Sequence, residues 1–311
     1  MPFPPARYLS SPTAKSFLLR QIITTGYVIC GYNSGSPWTN VNQVTHSTDT
    51  TIDMGNVMVN STGYPGGLSD DTFAYAVKLN GGVGGSGTGV GQYNMRTNTC
   101  VSFTATPVTV GNTGTFMHKE QTYAWATPFG GTTSTLLKFN FATKTWSTAT
   151  ASYGRTDGAG TGGSTIYGEF TGWNWGDGNS SSYSMKLVFA TETQSSGAFF
   201  GNYGQQKGIS SKVNFGYAGN EGDYAGGNNF RKWNFTTESI VSYPGKPIGN
   251  SGEENFDMGQ DHQYMLGMYN GTQNNRSWRF NYATDSGFEG SSTMQSKGVS
   301  GRSSAYSAQR S

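Results

Sequence analysis

The sequence predicts an all-β fold, and three observations predict it. The composition is hostile to helices, large aromatic rings are abundant, and one short motif returns six times at nearly constant spacing. The chain has 311 residues, of which only 12% are charged, about half of the roughly 25% usual for globular domains. Glycine (46 residues) together with Ser, Thr and Asn takes their place. Gly and the small polar residues weaken helices and favour turns. Leu and Ile are scarce, whereas Phe, Tyr and Trp make up 14% of the chain. Rings of that size suit pleated, half-buried surfaces, and their abundance argues against disorder.

The repeating motif is a strand-like run followed by Thr-x-Thr or a near equivalent. Its copies are 44–50, 93–99, 139–146, 187–193, 233–239 and 280–286. The first Thr of each stands at 48, 97, 143, 191, 237 and 284, so the spacings are 49, 46, 48, 46 and 47 residues. A second marker runs in step: an aromatic residue precedes each turn by about twenty residues, at Tyr27, Tyr75, Tyr123, Tyr167, Phe215 and Tyr264. Residues two apart on a strand share a face. Phe139 and Phe141 therefore point one way and Asn140 the other, and the small polar residues after them reverse the chain. Each unit of about 47 residues has room for four short strands.

A period of 40–50 residues with strand chemistry predicts the blades of a β-propeller. One blade cannot bury both faces of its sheet, but six in a ring bury them against each other and need no end caps. The run from Phe139 to Trp146, and next to it Tyr93 to Thr99, resembles the end of a kelch repeat: strand, polar Thr-x-Thr turn, then a strand bearing Trp. That resemblance covers about residues 24–290 and implies a six-bladed, kelch-like propeller. It implies no activity.

The chain ends also carry a pattern. The segment 207–212 precedes Phe215, and a similar segment, 297–302, precedes Tyr306. The chain thus begins a seventh copy and stops, while the first copy lacks a matching segment before Tyr27. Gly298, Val299 and Tyr306 are accordingly expected to complete the first blade and close the ring. Residues 1–22, with Pro2, Pro4, Pro5 and Pro12, are expected to form an extended arm, and 23–311 the propeller. Phe3, Tyr8, Phe17, Leu18 and Leu19 are the arm's candidate attachment residues. The N-terminus shows no basic and apolar signal pattern, and no apolar run is long enough to span a membrane.

Chemistry is sparse. His46, His118 and His262 occupy different repeat positions and share no metal-ligand spacing. No nucleophile elbow and no phosphate loop backed by a helix is present, and 85–89 is expected to be a flexible Gly/Ser loop. Asp70-Asp71 and Glu253-Glu254 are expected to be solvated loop charges. Asp177-Gly178-Asn179 suits a polar hairpin turn better than a calcium loop. Cys30 and Cys100 are expected to be small buried residues. With Lys and Arg scattered and a formal net charge of +2, no basic stripe marks a nucleic-acid surface. No catalytic residue, metal site or cofactor is expected. The best candidates for contact with a glycan or protein are the tryptophans Trp38, in a segment expected to be a loop, and Trp173 and Trp175, two apart; packing between blades is the competing role for each.

Low charge, high Gly/Ser/Thr/Asn, many Tyr and Phe and a degenerate β-repeat resemble virion structural proteins of tailed bacteriophages. The run from Trp38 to Thr50 is similar to repeat proteins of phages of marine bacteria. The resemblance implies a particle component made in the host cytoplasm, in a fibre, neck, tail or capsid-surface (decoration) position, bound to other virion proteins and homo-oligomeric. Two other classes remain open: an adhesin for host attachment that binds a surface glycan or protein through propeller loops, and a glycan-active enzyme on a propeller scaffold.

Overall fold

The computed structural model describes residues 23–33, 36–45, 48, 50–55, 57–60, 66–70, 72–79, 87–110, 117–119, 122–126, 135–150, 167–173, 182–196, 209–212, 215–219, 229–234, 236–244, 255–258, 262–266, 277–281, 284, 286–289 and 304–309. Every regular element among them is a β-strand, and every pairing is antiparallel. The arm residues Phe3, Tyr8, Phe17, Leu18 and Leu19 lie outside the described residues, as do Gly298 and Val299.

The strands group into six sheets. The first begins with β1 (Ile23–Asn33), β2 (Ser36–Thr45) and β3 (Thr50–Asp53). The second holds β4 (Gly66–Ser69), β5 (Phe73–Leu79), β6 (Gly89–Asn94) and β7 (Thr99–Phe103). The third holds β8 (Met117–Lys119), β9 (Tyr123–Ala126), β10 (Thr135–Asn140) and β11 (Thr145–Thr150). Three strands make the fourth: β12 (Tyr167–Trp173), β13 (Ser182–Val188) and β14 (Thr193–Ser196). The fifth is β15 (Ile209–Lys212), β16 (Phe215–Gly219), β17 (Asn229–Asn234) and β18 (Ile240–Pro244). The sixth is β19 (Asn255–Met258), β20 (His262–Leu266), β21 (Ser277–Asn281) and β22 (Ser286–Glu289). The last strand, β23 (Ser304–Gln309), does not start a sheet. It pairs with β1 in the first, with Tyr306 opposite Tyr27.

Strand alternation explains how the sheets stack. On β10, Leu136 and Leu137 are adjacent and both fully buried, which requires a partner layer on each face. Leu137 and Phe139 pack with Tyr75 and Val77 of the second sheet. Leu136 packs with Leu187 of the fourth. On β5, Ala74 and Ala76 face a core shared with Tyr27 and Ile29 of the first sheet, whereas Tyr75 and Val77 face the third. Successive sheets are therefore stacked face to face in sequence order from the first to the fourth. Burial of each large side chain contributes about 1.5–3 kcal/mol.

Rings dominate these interfaces. Tyr27 meets Tyr93 edge-on at 5.7 Å, and its hydroxyl donates to the Met95 carbonyl at 3.1 Å. Tyr75 lies 5.0 Å from Phe139. Trp125 stacks on Phe189 at 5.1 Å with an interplanar angle of 13°. Strand β23 comes within 8 Å (Cα) of β19 and β4, β1 of β19, β15 of β19, and β12 of β8. First-numbered strands of neighbouring sheets thus lie near one another, and the sixth sheet approaches the first.

Three local expectations change. Trp38 is not in a loop: it lies on β2, opposite Gly31. Pro37 stands second in that strand, where loss of one N–H is tolerated. The 85–89 segment is not all loop either, since Gly87 bridges to Val110 and Gly89 opens β6. A Cβ on Gly89 would stand 2.7 Å from the Leu79 carbonyl oxygen; the glycine is there to let the bulge at Val77–Leu79 approach, not to loosen the chain. Finally, Asp70 is not a solvated charge, because its side chain is only 10% exposed.

Candidate interaction site

The six Thr turns form the most regular polar feature of the molecule. In the second sheet, Asn94 Oδ1 accepts from the backbone N–H groups of Arg96 (2.9 Å) and Thr97 (3.2 Å). Asn140 does the same for Ala142 and Thr143, and Asn234 for Thr236 and Thr237. Asn281 holds Thr284 N–H at 3.1 Å. The Asn side chain thus supplies the acceptor that the reversing backbone needs. In the turns of the second to fifth sheets the residue between the two hydroxyls adopts the left-handed conformation, with φ of 56° at Asn98, 56° at Lys144, 53° at Glu192 and 54° at Glu238.

The hydroxyls then pair. Thr48–Thr50, Thr97–Thr99, Thr143–Thr145, Thr191–Thr193, Thr237–Ser239 and Thr284–Ser286 are all joined at 2.7 or 2.8 Å between side-chain oxygens. All six pairs are exposed. Each turn therefore offers a donor–acceptor pair of hydroxyls to solvent or to a polar partner.

The left-handed residue has a second task in three of these turns. Asn98 keeps its side chain on its own sheet, where its Oδ1 accepts from the Tyr93 hydroxyl at 3.0 Å, but the other three point theirs back onto the preceding sheet. Lys144, in the turn of the third sheet, pairs with Asp70 of the second. Glu192, in the fourth, pairs with Lys138 of the third, and Glu238, in the fifth, with Lys186 of the fourth. The Asp70 pair is the most enclosed. Asp70 Oδ1 accepts from Thr72 N–H and Phe73 N–H, both at 2.8 Å, leaving Oδ2 for Lys144 and, at 3.5 Å, the Tyr75 hydroxyl. Gln92 donates to that hydroxyl at 3.2 Å. The Lys144 ammonium lies 5.7–5.8 Å from the ring centres of Phe73, Tyr75 and Phe141, within range of cation–π attraction. Burial alone would lower the Lys144 pKa, but the hydrogen bond and charge of Asp70, with help from Tyr75, outweigh it and hold it above the ordinary lysine value. Burial raises the Tyr75 hydroxyl, with the Asp70 charge adding to it. Lys138 sits 4.1 Å over the Tyr123 ring. Trp146 Nε1 donates to Thr104 O at 3.1 Å, and Gln194 Nε2 to Thr150 O at 2.7 Å, each again reaching back one sheet.

Of the tryptophans, Trp38 lies on β2 of the first sheet and Trp173 ends β12 of the fourth, opposite Ser182. Trp175 is outside the described residues. His118 is on β8 and His262 on β20, opposite Ala124 and Asn281; His46 is outside. Among the described residues no group of three or more His, Cys, Asp and Glu could hold a metal ion, and no helix is long and apolar enough to cross a membrane. Cys100 carries a free thiol that is partly buried, and burial raises its pKa. Sequence reasoning missed the inter-sheet pairs. Their signal is positional: one charge stands five residues before the first Thr of a turn (Lys138, Lys186), and its partner one residue after the first Thr of the next (Glu192, Glu238).

The fold and the turns together define an all-β chain of antiparallel sheets, of which the second to fifth are clamped in order by the Thr turns of the third to fifth. No protein-family model matches the chain, and no curated protein matches it.

Proposed function

We propose that the six sheets are the blades of a kelch-like β-propeller closed by β23, and that the chain is a structural component of a bacteriophage particle that acts by binding rather than catalysis. The observation that carries the ring is the placement of the last sheet: β19 lies beside both β1 and β23, while β23 also lies beside β4. A linear stack would leave the first and sixth sheets at opposite ends. The particle reading is supported by the composition and by the run 38–50, which resembles phage repeat proteins. A rigid ring with exposed hydroxyl turns suits a particle surface, because its loops can vary without disturbing the aromatic interfaces. In this reading residues 1–22 attach the ring to other virion proteins.

A second reading is favoured by one specific observation. The six exposed hydroxyl pairs repeat a small polar contact unit of the kind that hydrogen-bonds a glycan or polar protein surface; a host-surface adhesin would use them with Trp38 and Trp173. Electron microscopy of native particles, labelled with an antibody to the recombinant protein, tests both. Label at the neck, tail shaft or capsid surface supports the structural role. Label at a distal fibre or tail tip supports the adhesin. Absence of label from every particle overturns the particle reading.

A further inference from the structure

The first sheet is buried on both faces, although among the described residues no sheet precedes it. On β2, Val41 faces the core shared with the second sheet. Strand alternation turns Asn42 and Val44 to the opposite, rear face. There Val44 stands opposite Thr51 of β3, and Asn42 opposite Asp53. Asn42 and Val44 are 0% exposed and Thr51 is 5% exposed. Asn40, where the register with β1 shifts, is 2% exposed.

This face has one use in the sheets that follow. In the second, third and fourth sheets the residue four before the first Thr packs on the preceding sheet. Tyr93 meets Tyr27, Phe139 meets Tyr75, and Leu187 meets Leu136. Val44 holds that position in the first sheet, so a layer from later in the chain covers it. The element at hand is β19, which lies within 8 Å (Cα) of both β1 and β23. We propose that the rear face of the first sheet is the docking surface for the chain's own sixth sheet, and that this polar joint is where the ring opens first. This rests on the ring reading of the six sheets.

The chemistry of the face carries the second half of the proposal. Its described buried side chains on the paired strands are an amide, a hydroxyl and a valine, with the Asn40 amide beside them. Between the first four sheets, by contrast, rings meet rings: Tyr27 with Tyr93, Tyr75 with Phe139 and Trp125 with Phe189. When a polar face separates, water takes over the hydrogen bonds of its amides. When an aromatic face separates, its burial is simply lost. The polar face also suits the order of synthesis. It is complete at Asp53, whereas β19 begins only at Asn255. An apolar face left waiting would invite other chains, and contact with the last sheet of another copy would propagate rather than close.

Two measurements on the full-length chain test this, both in a Cys30→Ala, Cys100→Ala background. The first identifies the cover. Asp53 is exposed and stands opposite Asn42, so Asp53→Cys can carry a benzophenone maleimide. Illumination should join it to a peptide within 255–289 in the monomer band. A link to residues 1–22 or to a second copy names another cover and overturns the docking. The second measurement reads the opening. Val44→Cys, Val41→Cys and Val90→Cys make the same change at three buried positions, and a thiol reagent is added in native buffer. The thiol at 44 should react at least about tenfold faster than those at 41 and 90, yet more slowly than a free thiol. Equal rates together with a 255–289 link refute the joint and leave the ring standing. Reaction at 44 at the free-thiol rate, with no link to 255–289, refutes the ring. Thr51→Cys, on the same face, gives the same reading should Val44→Cys fail to fold.

Discussion

Replacing Lys144 by Met probes the clamp between the second and third sheets at its best-enclosed point. Met keeps much of the aliphatic length, so the packing against Phe73, Tyr75 and Phe141 survives while the charge goes. The carboxylate of Asp70 is 10% exposed and the Lys144 side chain 35%. A charge-assisted hydrogen bond is worth about 1.5–3 kcal/mol when enclosed, and the exposure of the lysine brings that to about 1 kcal/mol. Loss of the ammonium from three rings at 5.7–5.8 Å adds about 0.5–1 kcal/mol. The expected cost is therefore about 2 kcal/mol, read from urea unfolding as a lower midpoint with an unchanged slope. A cycle with Asp70→Asn should show a coupling of about 1 kcal/mol. Glu238→Gly is the contrasting case. Its pair is worth about 0.5 kcal/mol because Glu238 is 46% exposed. Relief of the left-handed conformation at φ 54° returns about 1 kcal/mol, and the greater freedom of the unfolded chain takes back a similar amount. The net change should lie within about 0.5 kcal/mol. Should Lys144→Met cost less than about 0.5 kcal/mol, the clamp contributes no stability and the reasoning is wrong.

Phe139→Ala should cost about 3–5 kcal/mol, since Phe139 is fully buried against Tyr75, Phe103, Phe141 and Trp146; equilibrium unfolding measures it, and a cost near 1 kcal/mol would contradict the packing. Alkaline pH should destabilise the fold. Lys144, Tyr75 and Tyr93 all have folded pKa values raised above their ordinary values of 10.5, 10.0 and 10.0. For Tyr93 the main cause is burial, with Tyr27 and Cys100 beside it. Each contributes stability that is complete below its unfolded pKa and lost as pH rises toward the folded one. Unfolding free energy should therefore be flat with respect to these groups near neutrality and fall from about pH 10 upward, and a rise above pH 10 would refute the assignment. Deleting residues 292–311, which removes β23, should lower the melting temperature strongly because the first sheet loses its pairing along Ile23–Ile29; an unchanged melting temperature would show that the strand is dispensable.

The repeat was legible because a turn must solve the same problem six times. Thr-x-Thr hydroxyls, spaced by 46–49 residues, mark it in sequence, and the sheets fall where they predict. The likeness between 207–212 and 297–302 did not place the last strand: 297–302 lies outside the described residues, and β23 carries Tyr306 itself, whereas Phe215 stands on β16, the second strand of its sheet. Trp38 was not legible as a strand residue, because Gly35-Ser36-Pro37 carries turn chemistry that pairing with β1 overrides. Gly89 was mistaken for slack because its reason, the carbonyl of Leu79, is distant in sequence. The charge clamps escaped for a similar reason. Lys138 and Glu192 are 54 residues apart, and only the one-sheet offset of a stack brings them together. Sequence can show a charge's position in its own repeat but not which neighbouring repeat it faces.

Spin-label distances along equivalent exposed positions test the ring most directly. Ile52, Ser147, Ser195 and Val241 are exposed and each stands four residues after the first Thr of its turn, in the first, third, fourth and fifth sheets. With labels introduced by Cys substitution in a Cys30→Ala, Cys100→Ala background, distances from position 52 are measured to 147, 195 and 241 by pulsed electron paramagnetic resonance. A closed ring of six predicts that 52–195 is the longest and that 52–241 is close to 52–147. A steady increase from 52–147 through 52–195 to 52–241 would contradict the ring and leave an open stack of sheets.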